Sequence, residues 1–284
     1  MYDLAIAYRI YPGVSKMPAY CSTDKFKLAE MCLRSFRAAL GELRFKIWAL
    51  LDGCPPEYEA LFRDVFKGNE LEIVALNKVG NLKSFSAQID ILTKQTEADY
   101  VYFAEDDYYY LPDALVKMIA FMRNNKDVDF VTSYDHPDSY DTSFRYERHL
   151  VRPYGDRYWR TASSTCLTFL TSRKNLIRNK WMFRTYTRFR NYDYSLWLAL
   201  TQKLSMADLR IYWSDVLHVK IWIKTLVWGF GSVFFGRYYR LWCPLPTLST
   251  HMESTRLSPL VNWPELFQNY DRSKHQAGQE RRSL

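Results

Sequence analysis

The sequence predicts an α/β fold, a mostly parallel sheet flanked by helices, with an elaboration on its C-terminal side. Three observations carry this. Short apolar runs alternate with longer amphipathic stretches over the first 135 residues. The runs have the length of strands and the stretches the length of helices. After Ser133 that rhythm stops, and an irregular, aromatic and basic sequence takes over. Strands that alternate with helices are joined by right-handed crossovers, which lays them parallel in one sheet.

Taken in order, residues 4–7 read as the first strand. Residues 24–40 read as a helix, with Phe26, Ala29, Leu33, Phe36 and Leu40 on one stripe. Residues 45–51 form the second strand. Pro55 and Pro56 open the next helix, which runs to Phe66, a place where proline costs little. A third strand at 71–76, a helix at about 82–95, a fourth strand at 100–104 and a helix from Pro112 to about Asn124 follow, and 128–133 closes the series. Ligands of such sheets gather at the carboxyl ends of the strands. Residues 9–12, 52–55, 77–83 and 105–110 are therefore the ones to inspect.

Beyond Ser133, residues 134–162 read as loop, 164–170 as a strand, 193–202 as a helix and 209–213 as a short strand. Segment 218–242 mixes Trp and Phe with Lys and Arg, and the polar stretch from about Asp271 is expected to be disordered. This gives a first half (1–135), a second half (136–270) and a tail (271–284).

The charge divides along the same line. Residues 1–134 carry a net charge of −3 and residues 135–284 a net charge of +11. Between Asp156 and Asp193 stand nine bases and no acid. Either a solvated basic face or an anionic partner for the second half accounts for this. The five cysteines are scattered without a CxxC pair, which fits neither a disulfide frame nor a zinc site and favours a reducing compartment. The N-terminus lacks the basic lead of a signal peptide. The longest uncharged run in the aromatic segment is twelve residues, Thr225 to Gly236, against ~20 for a membrane span. A cytoplasmic protein, with or without peripheral contact to a membrane, is the expectation. Nothing resembles a phosphate-binding P-loop or a hydrolase nucleophile elbow, and no nucleic-acid module accompanies the basic half, so nucleic acid is not expected as a partner.

The sharpest chemical feature is Glu105-Asp106-Asp107 at the end of the fourth strand, followed by Pro112-Asp113. Adjacent carboxylates repel one another, and that repulsion favours a cation. Hard oxygen ligands suit Mg²⁺ or Mn²⁺, which such sites hold through one or two carboxylates while substrate phosphates complete the shell. An acidic loop in which Asp107 or Asp113 caps the next helix fits the same spacing.

Together, Leu4-Ala-Ile-Ala-Tyr8, Leu50-Leu-Asp52-Gly53 and Val101-Tyr-Phe-Ala-Glu105-Asp106-Asp107, continuing through Pro112-Asp113, resemble the GT-A (Rossmann-like) nucleotide-diphosphosugar glycosyltransferases, most closely the inverting family 2 type. The resemblance is good over residues 1–135 and weak beyond. It implies that Asp107 is a metal ligand touching the donor diphosphate, and that Glu105 and Asp106 hold ribose, sugar hydroxyls or metal-bound water. It implies that Asp52 binds the nucleobase, and that Tyr8, Arg9 and Tyr11 form the first loop, packed on base and ribose. Lys83 or Lys78 would meet the donor. The family's usual Thr- or Asn-rich first loop is replaced here by Tyr-Arg-Ile-Tyr-Pro.

An inverting transfer needs a base for the acceptor hydroxyl, and in this family it lies at the start of a helix downstream of the acids. Asp193 matches, although a plain helix cap explains it as well; Asp156 and Asp135 are rivals. Many relatives add a C-terminal histidine to the metal, a place filled here by His251, ahead of His218, His136 and His149. The resemblance thus implies a metal-dependent inverting transferase using Mn²⁺ or Mg²⁺, a nucleoside-diphosphate sugar donor (a UDP-sugar first) and a glycan or lipid-linked glycan acceptor bound by the second half. A sugar nucleotidyltransferase, or a non-catalytic glycan- or membrane-binding protein of the same fold, are the alternatives. Segment 218–242 reads either as a membrane-interface stretch, with aromatics and bases at headgroup depth, or as an ordinary buried helix and loop.

Overall fold

Every residue of the first strand, β1 (Leu4–Ile10), is buried, because helices cover both faces of the sheet in which it lies. Leu4, Ile6, Tyr8 and Ile10 project into one core and Ala5 and Ala7 into the other. A computed structural model describes residues 1–13, 17–68, 70–140, 149–203 and 216–280.

β1 pairs in parallel with β2 (Phe45–Asp52) on one side and β4 (Tyr100–Glu105) on the other, and β2 pairs in parallel with β3 (Leu71–Leu76). The intervening helices are α1 (Lys25–Ala39), α2 (Pro56–Val65) and α3 (Gly80–Lys94). Asp24 caps α1 by accepting from the Lys27 amide at 3.0 Å, and Pro56 opens α2 as the sequence predicts. Gln88 fixes α3 to the sheet: its buried Nε2 donates to the carbonyls of Ala7 (2.7 Å) and Ala104 (3.0 Å), bridging β1 and β4. After β4 come β5 (Tyr108–Tyr110), α4 (Ala114–Asn124) and β6 (Phe130–Val131). The expected parallel α/β series is present, and the sheet as a whole is mixed, of order β3-β2-β1-β4-β9-β6-β10-β8-β7.

The second half departs from expectation in its details. Within the stretch read as loop, β7 (Val151–Tyr154) and β8 (Arg157–Ala162) form a hairpin whose two-residue turn is Gly155-Asp156, with Gly155 at φ +64°. The strand expected at 164–170 is β9 (Phe169–Ser172), inserted antiparallel between β4 and β6. Two helices, α5 (Arg173–Arg178) and α6 (Lys180–Phe189), occupy the acid-free interval, and α7 (Asp193–Thr201) follows. The strand expected at 209–213 lies outside the described residues. The aromatic segment is α8 (Val216–Phe234), after which β10 (Leu241–Leu245) re-enters the sheet beside β6 and β8. β11 (Ser249–His251) forms a separate two-stranded ladder with β5. α9 (Trp263–Glu280) packs Trp263 and Phe267 on Leu28, Met31 and Cys32 of α1 and extends into the segment expected as a tail. α7 and α8 approach closely because Gly229 faces Ala199; a Cβ on Gly229 would stand 2.5 Å from the Ala199 Cβ. Among the described residues no helix is long and apolar enough to cross a membrane.

The bases of the second half do not form one free surface. Arg152 and Arg240 pair with Asp127, Arg237 with Asp129, and Lys180 and Arg184 with Asp90. Part of the +11 is therefore the matching half of ion pairs that join the two sequence halves.

Candidate active site

β4 delivers the three acids to the carboxyl edge of the parallel strands, where Glu105 stands opposite Arg9 of β1. Each acid has a different fate. Glu105 is held on both oxygens: Arg9 forms an ion pair with Oε1, and the Thr168 hydroxyl donates to Oε2 at 2.8 Å. Asp106 Oδ2 takes the ammonium of Lys25, the first residue of α1, at 2.7 Å and the Tyr11 amide at 3.3 Å. Burial pushes the Asp106 carboxyl up from its ordinary value against the pull of Lys25, and Lys25 itself is held firmly charged, the carboxylates outweighing its own burial.

Asp107 meets His251. The β5–β11 ladder puts His251 opposite Tyr108, the Met252 amide donates to the Asp107 carbonyl at 2.8 Å, and His251 Nε2 lies 3.2 Å from Asp107 Oδ2. Burial alone would raise the Asp107 carboxyl; His251, Lys25 and Arg9 outweigh it and hold Asp107 at about 2. The same contact raises His251 above its ordinary value despite burial. Two buried atoms of this pair, Asp107 Oδ1 and His251 Nδ1, have no hydrogen-bond partner. A buried polar atom left unmatched costs ~1–3 kcal/mol, so both are poised for a ligand. Asp107 sits in the β4–β5 turn and caps no helix, whereas Asp113 stands at the N-cap of α4, at φ 58°, without a side-chain cap bond.

Asp193 is the first residue of α7; Tyr192, without a side-chain cap bond, precedes it. Asp193 Oδ1 accepts from the Tyr194 amide at 2.7 Å, and burial, with the nearby negative charge of Glu105, raises its pKa. It lines a cavity of about 330 Å³ with Leu82, Tyr186, Arg190, Asn191 and Tyr192. A hydrogen-bonded chain joins this cavity to the acids. Asn81 Nδ2 donates to the Tyr186 hydroxyl at 3.1 Å, Arg9 Nη1 donates to the Asn81 carbonyl at 3.0 Å, and Arg9 pairs with Glu105. The rivals are engaged elsewhere. Asp135 is buried against Arg160 at 2.5 Å, and Asp156 sits in the hairpin turn on Lys117 (2.6 Å) and Arg157 (3.0 Å). His136 lies 3.4 Å from Asp138, and His149 Nδ1 is 2.7 Å from the Thr161 carbonyl oxygen. His218 lies on α8.

The first loop is corrected. β1 runs on to Ile10, so the strand's alternation turns Tyr8 into the core, edge-on to Phe36 (5.3 Å) and Phe62 (5.4 Å). Arg9, on the opposite face, stacks over Phe85 at 5.6 Å and serves Glu105 and Asn81. Only Tyr11 of the three is a loop residue with an exposed side chain. Asp52 ends β2 with both oxygens engaged by the β3–α3 turn, Oδ1 from the Val79 amide at 2.7 Å and Oδ2 from the Gly80 amide at 2.8 Å. A base contact would have to displace or share those bonds. Lys83 and Lys78 are exposed and have no ion-pair partner among the described residues.

Sequence reasoning missed Lys25, Asn81, Thr168 and Tyr186. Lys25 had left a signal: a lysine in the first turn opposes the helix dipole and calls for an acid from elsewhere. Among the described residues no three His, Cys, Asp or Glu side chains converge as a metal cage. Asp107 with His251 is a two-residue set, which suits an ion that takes its remaining ligands from substrate phosphate and water.

No curated protein matches the sequence. Among solved structures the fold resembles Staphylococcus aureus TarS 1-349 (14% identity over 82% of this chain and 81% of that one, TM-score 0.42). It also resembles a putative nucleotide-diphospho-sugar transferase from Desulfovibrio desulfuricans G20 (13%, 68% and 72%, TM-score 0.39). The glycosyltransferase GlyE of Streptococcus pneumoniae TIGR4 is a third (14%, 74% and 46%, TM-score 0.40). Residues 17–190 match the family described as glycosyl transferase family 2. That span holds the acids and the helices around them, and His251 and Asp193 lie beyond it. With most of its length accounted for by that match, the chain belongs to glycosyl transferase family 2 and is a GT-A glycosyltransferase.

Proposed function

We propose that this transferase is metal-dependent and inverting. It would move a sugar from a nucleoside-diphosphate donor, a UDP-sugar first, to a hydroxyl of a glycan or lipid-linked glycan. The observation that carries the reading is the half-buried Asp107–His251 pair, with a buried, open oxygen on one member and a buried, open nitrogen on the other. Asp107 and His251 are the residues that would hold Mn²⁺ or Mg²⁺. When bound, the ion offsets the charge that builds on the departing diphosphate.

The remaining work falls to the chain's own groups. Asp193 takes the proton of the acceptor hydroxyl as that oxygen bonds to the anomeric carbon and the bond from that carbon to the diphosphate oxygen breaks. A carboxylate whose pKa is raised by burial is a better base than an exposed one. The Tyr186–Asn81–Arg9–Glu105 chain ties one wall of the Asp193 cavity to the acids. Lys25 holds Asp106 and leaves Asp107 as the carboxylate with an open oxygen.

The test is donor turnover with and without Mn²⁺. Asp107→Ala and His251→Ala should each abolish the Mn²⁺-dependent part. Unchanged turnover in either variant would remove that residue from the metal site. The anomeric proton coupling of the product, read by NMR, separates inversion from retention.

A further inference from the structure

The buried residues of α8 are Ile221, Thr225 and Gly229, one residue per turn, on the side that meets α7. The opposite side is apolar as well. Val216, Ile223, Val227, Phe230 and Phe234 are between 49% and 69% exposed and recur at helical spacing along the whole helix. The stripe is about 27 Å long at 1.5 Å per residue. Scattered exposed apolar residues are ordinary, but a continuous stripe of this length marks a contact surface.

Among the described residues, the charged side chains along α8 are all basic. From Val216 to Met252 the sequence contains no acid. Lys220 falls within the stripe, and Lys224 and Arg190, joined at the Arg190 carbonyl, have no carboxylate partner among the described residues. Beside α8, Phe189 stacks on Trp228 at 4.0 Å and packs edge-on against the exposed Trp181 at 5.9 Å. A second copy seated on this face would bring these cations against their own kind. An anionic lipid surface meets both properties at once, accepting the apolar stripe below and the bases at headgroup depth.

We infer that α8 is a membrane-surface helix that lies flat on an anionic bilayer with its Val216-to-Phe234 stripe in the acyl boundary. The placement bears on the site. Lys224 Nζ donates to the Arg190 carbonyl at 2.5 Å and sits 4.3 Å over the Tyr192 ring. Arg190 and Tyr192 both line the Asp193 cavity. The lipid-facing helix is thus fastened to the cavity wall, so an acceptor carried on a lipid would reach the base from the bilayer side.

The inference goes beyond the reaction, and its test uses no donor, so its failure and that of the proposed reaction are told apart. The full chain is floated with vesicles of phosphatidylcholine alone and of equal parts phosphatidylcholine and phosphatidylglycerol. It should float with the anionic vesicles, less so at high salt, and stay behind with the neutral ones. The double variant Val227→Ser/Phe230→Ser should lose at least about tenfold in partition with an unchanged melting temperature, since both side chains are exposed. Lys220→Glu should lower the response to phosphatidylglycerol. A wild-type chain that does not float, or a double variant that floats like it, overturns the inference. A dimer in sedimentation that the double variant splits would also overturn it and give the stripe to a second copy.

Discussion

Replacing Asp193 by asparagine separates what the carboxylate does for the reaction from what it does to the fold. In the folded protein Asp193 accepts from the Tyr194 amide at 2.7 Å and has no salt-bridge partner among the described residues. Burial and the charge of Glu105 both disfavour its ionised form. Asparagine keeps the shape and the acceptor for the Tyr194 amide and removes the charge. Turnover should fall by about 10²–10⁴, the range a positioned general base supplies, while stability should rise. Because the carboxylate is only partly buried at the cavity wall, the gain should sit at the low end for relief of an active-site charge, about 0.5–1 kcal/mol. The sign with pH follows from the raised pKa. Below the unfolded value both states carry the proton and the residue has no effect. The cost of the charge accrues as pH rises from the unfolded value to the folded one and is full above it. Urea unfolding of the two proteins should therefore coincide in acid, with the variant ahead at neutral pH and above. Near wild-type turnover would show that Asp193 is not the base, and a variant less stable than the wild type at neutral pH would show that its charge is no cost to the fold.

Arg160→Met should leave the fully buried Asp135 carboxylate unpaired and cost about 3–5 kcal/mol in chemical denaturation. Adding Asp135→Leu should recover much of that, and the donor KM of the double variant should stay at the wild-type value. Lys25→Met should destabilise the metal-free protein for the same reason, since both partners of the Lys25–Asp106 pair are buried. It should also give a larger rise in melting temperature on adding Mn²⁺ than the wild type shows, because two carboxylates then lack a fixed cation.

The parallel half of the fold was legible because each strand there is a short apolar run between turn residues, and α1 and α2 carry their own start signals at Asp24 and Pro56. β1 proved longer than its apolar run. The apolar run ends at Ala7 and the resemblance puts Tyr8 and Arg9 in a loop, yet a strand covered on both faces buries a tyrosine ring on one side and the arginine's stem on the other. The β7–β8 hairpin was readable in principle: Gly155-Asp156 is a two-residue turn signal, masked because the flanking strands carry Arg and Tyr where a buried strand carries Val or Ile. In the site, the carboxylate run was visible in the sequence and Asp193 stood out as the first acid after a long gap. Nothing local ties residue 107 to residue 251; that contact comes from strand pairing, so His251 was reached by resemblance alone. Charge counting misled in another way, since a net charge by segment does not reveal that Asp90, Asp127 and Asp129 of the first half neutralise arginines of the second.

The β5–β11 ladder decides when the site exists as well as where. Tyr108 and His251 stand 143 positions apart, and bringing such distant points together from an open chain costs about 4 kcal/mol of closure entropy. Once β10 has docked beside β6, the remaining loop to His251 is only a few residues and the cost nearly vanishes. We expect the imidazole to join its carboxylate late in folding. The ladder is mostly buried but has only three register pairs, and we predict that it opens before the long central strands do. Local opening there would separate Asp107 from His251 while the nine-stranded sheet stays intact. Amide exchange at Thr250 and His251 should then outpace exchange in β1 and β4, and the enzyme would lose its paired ligands well before it melts.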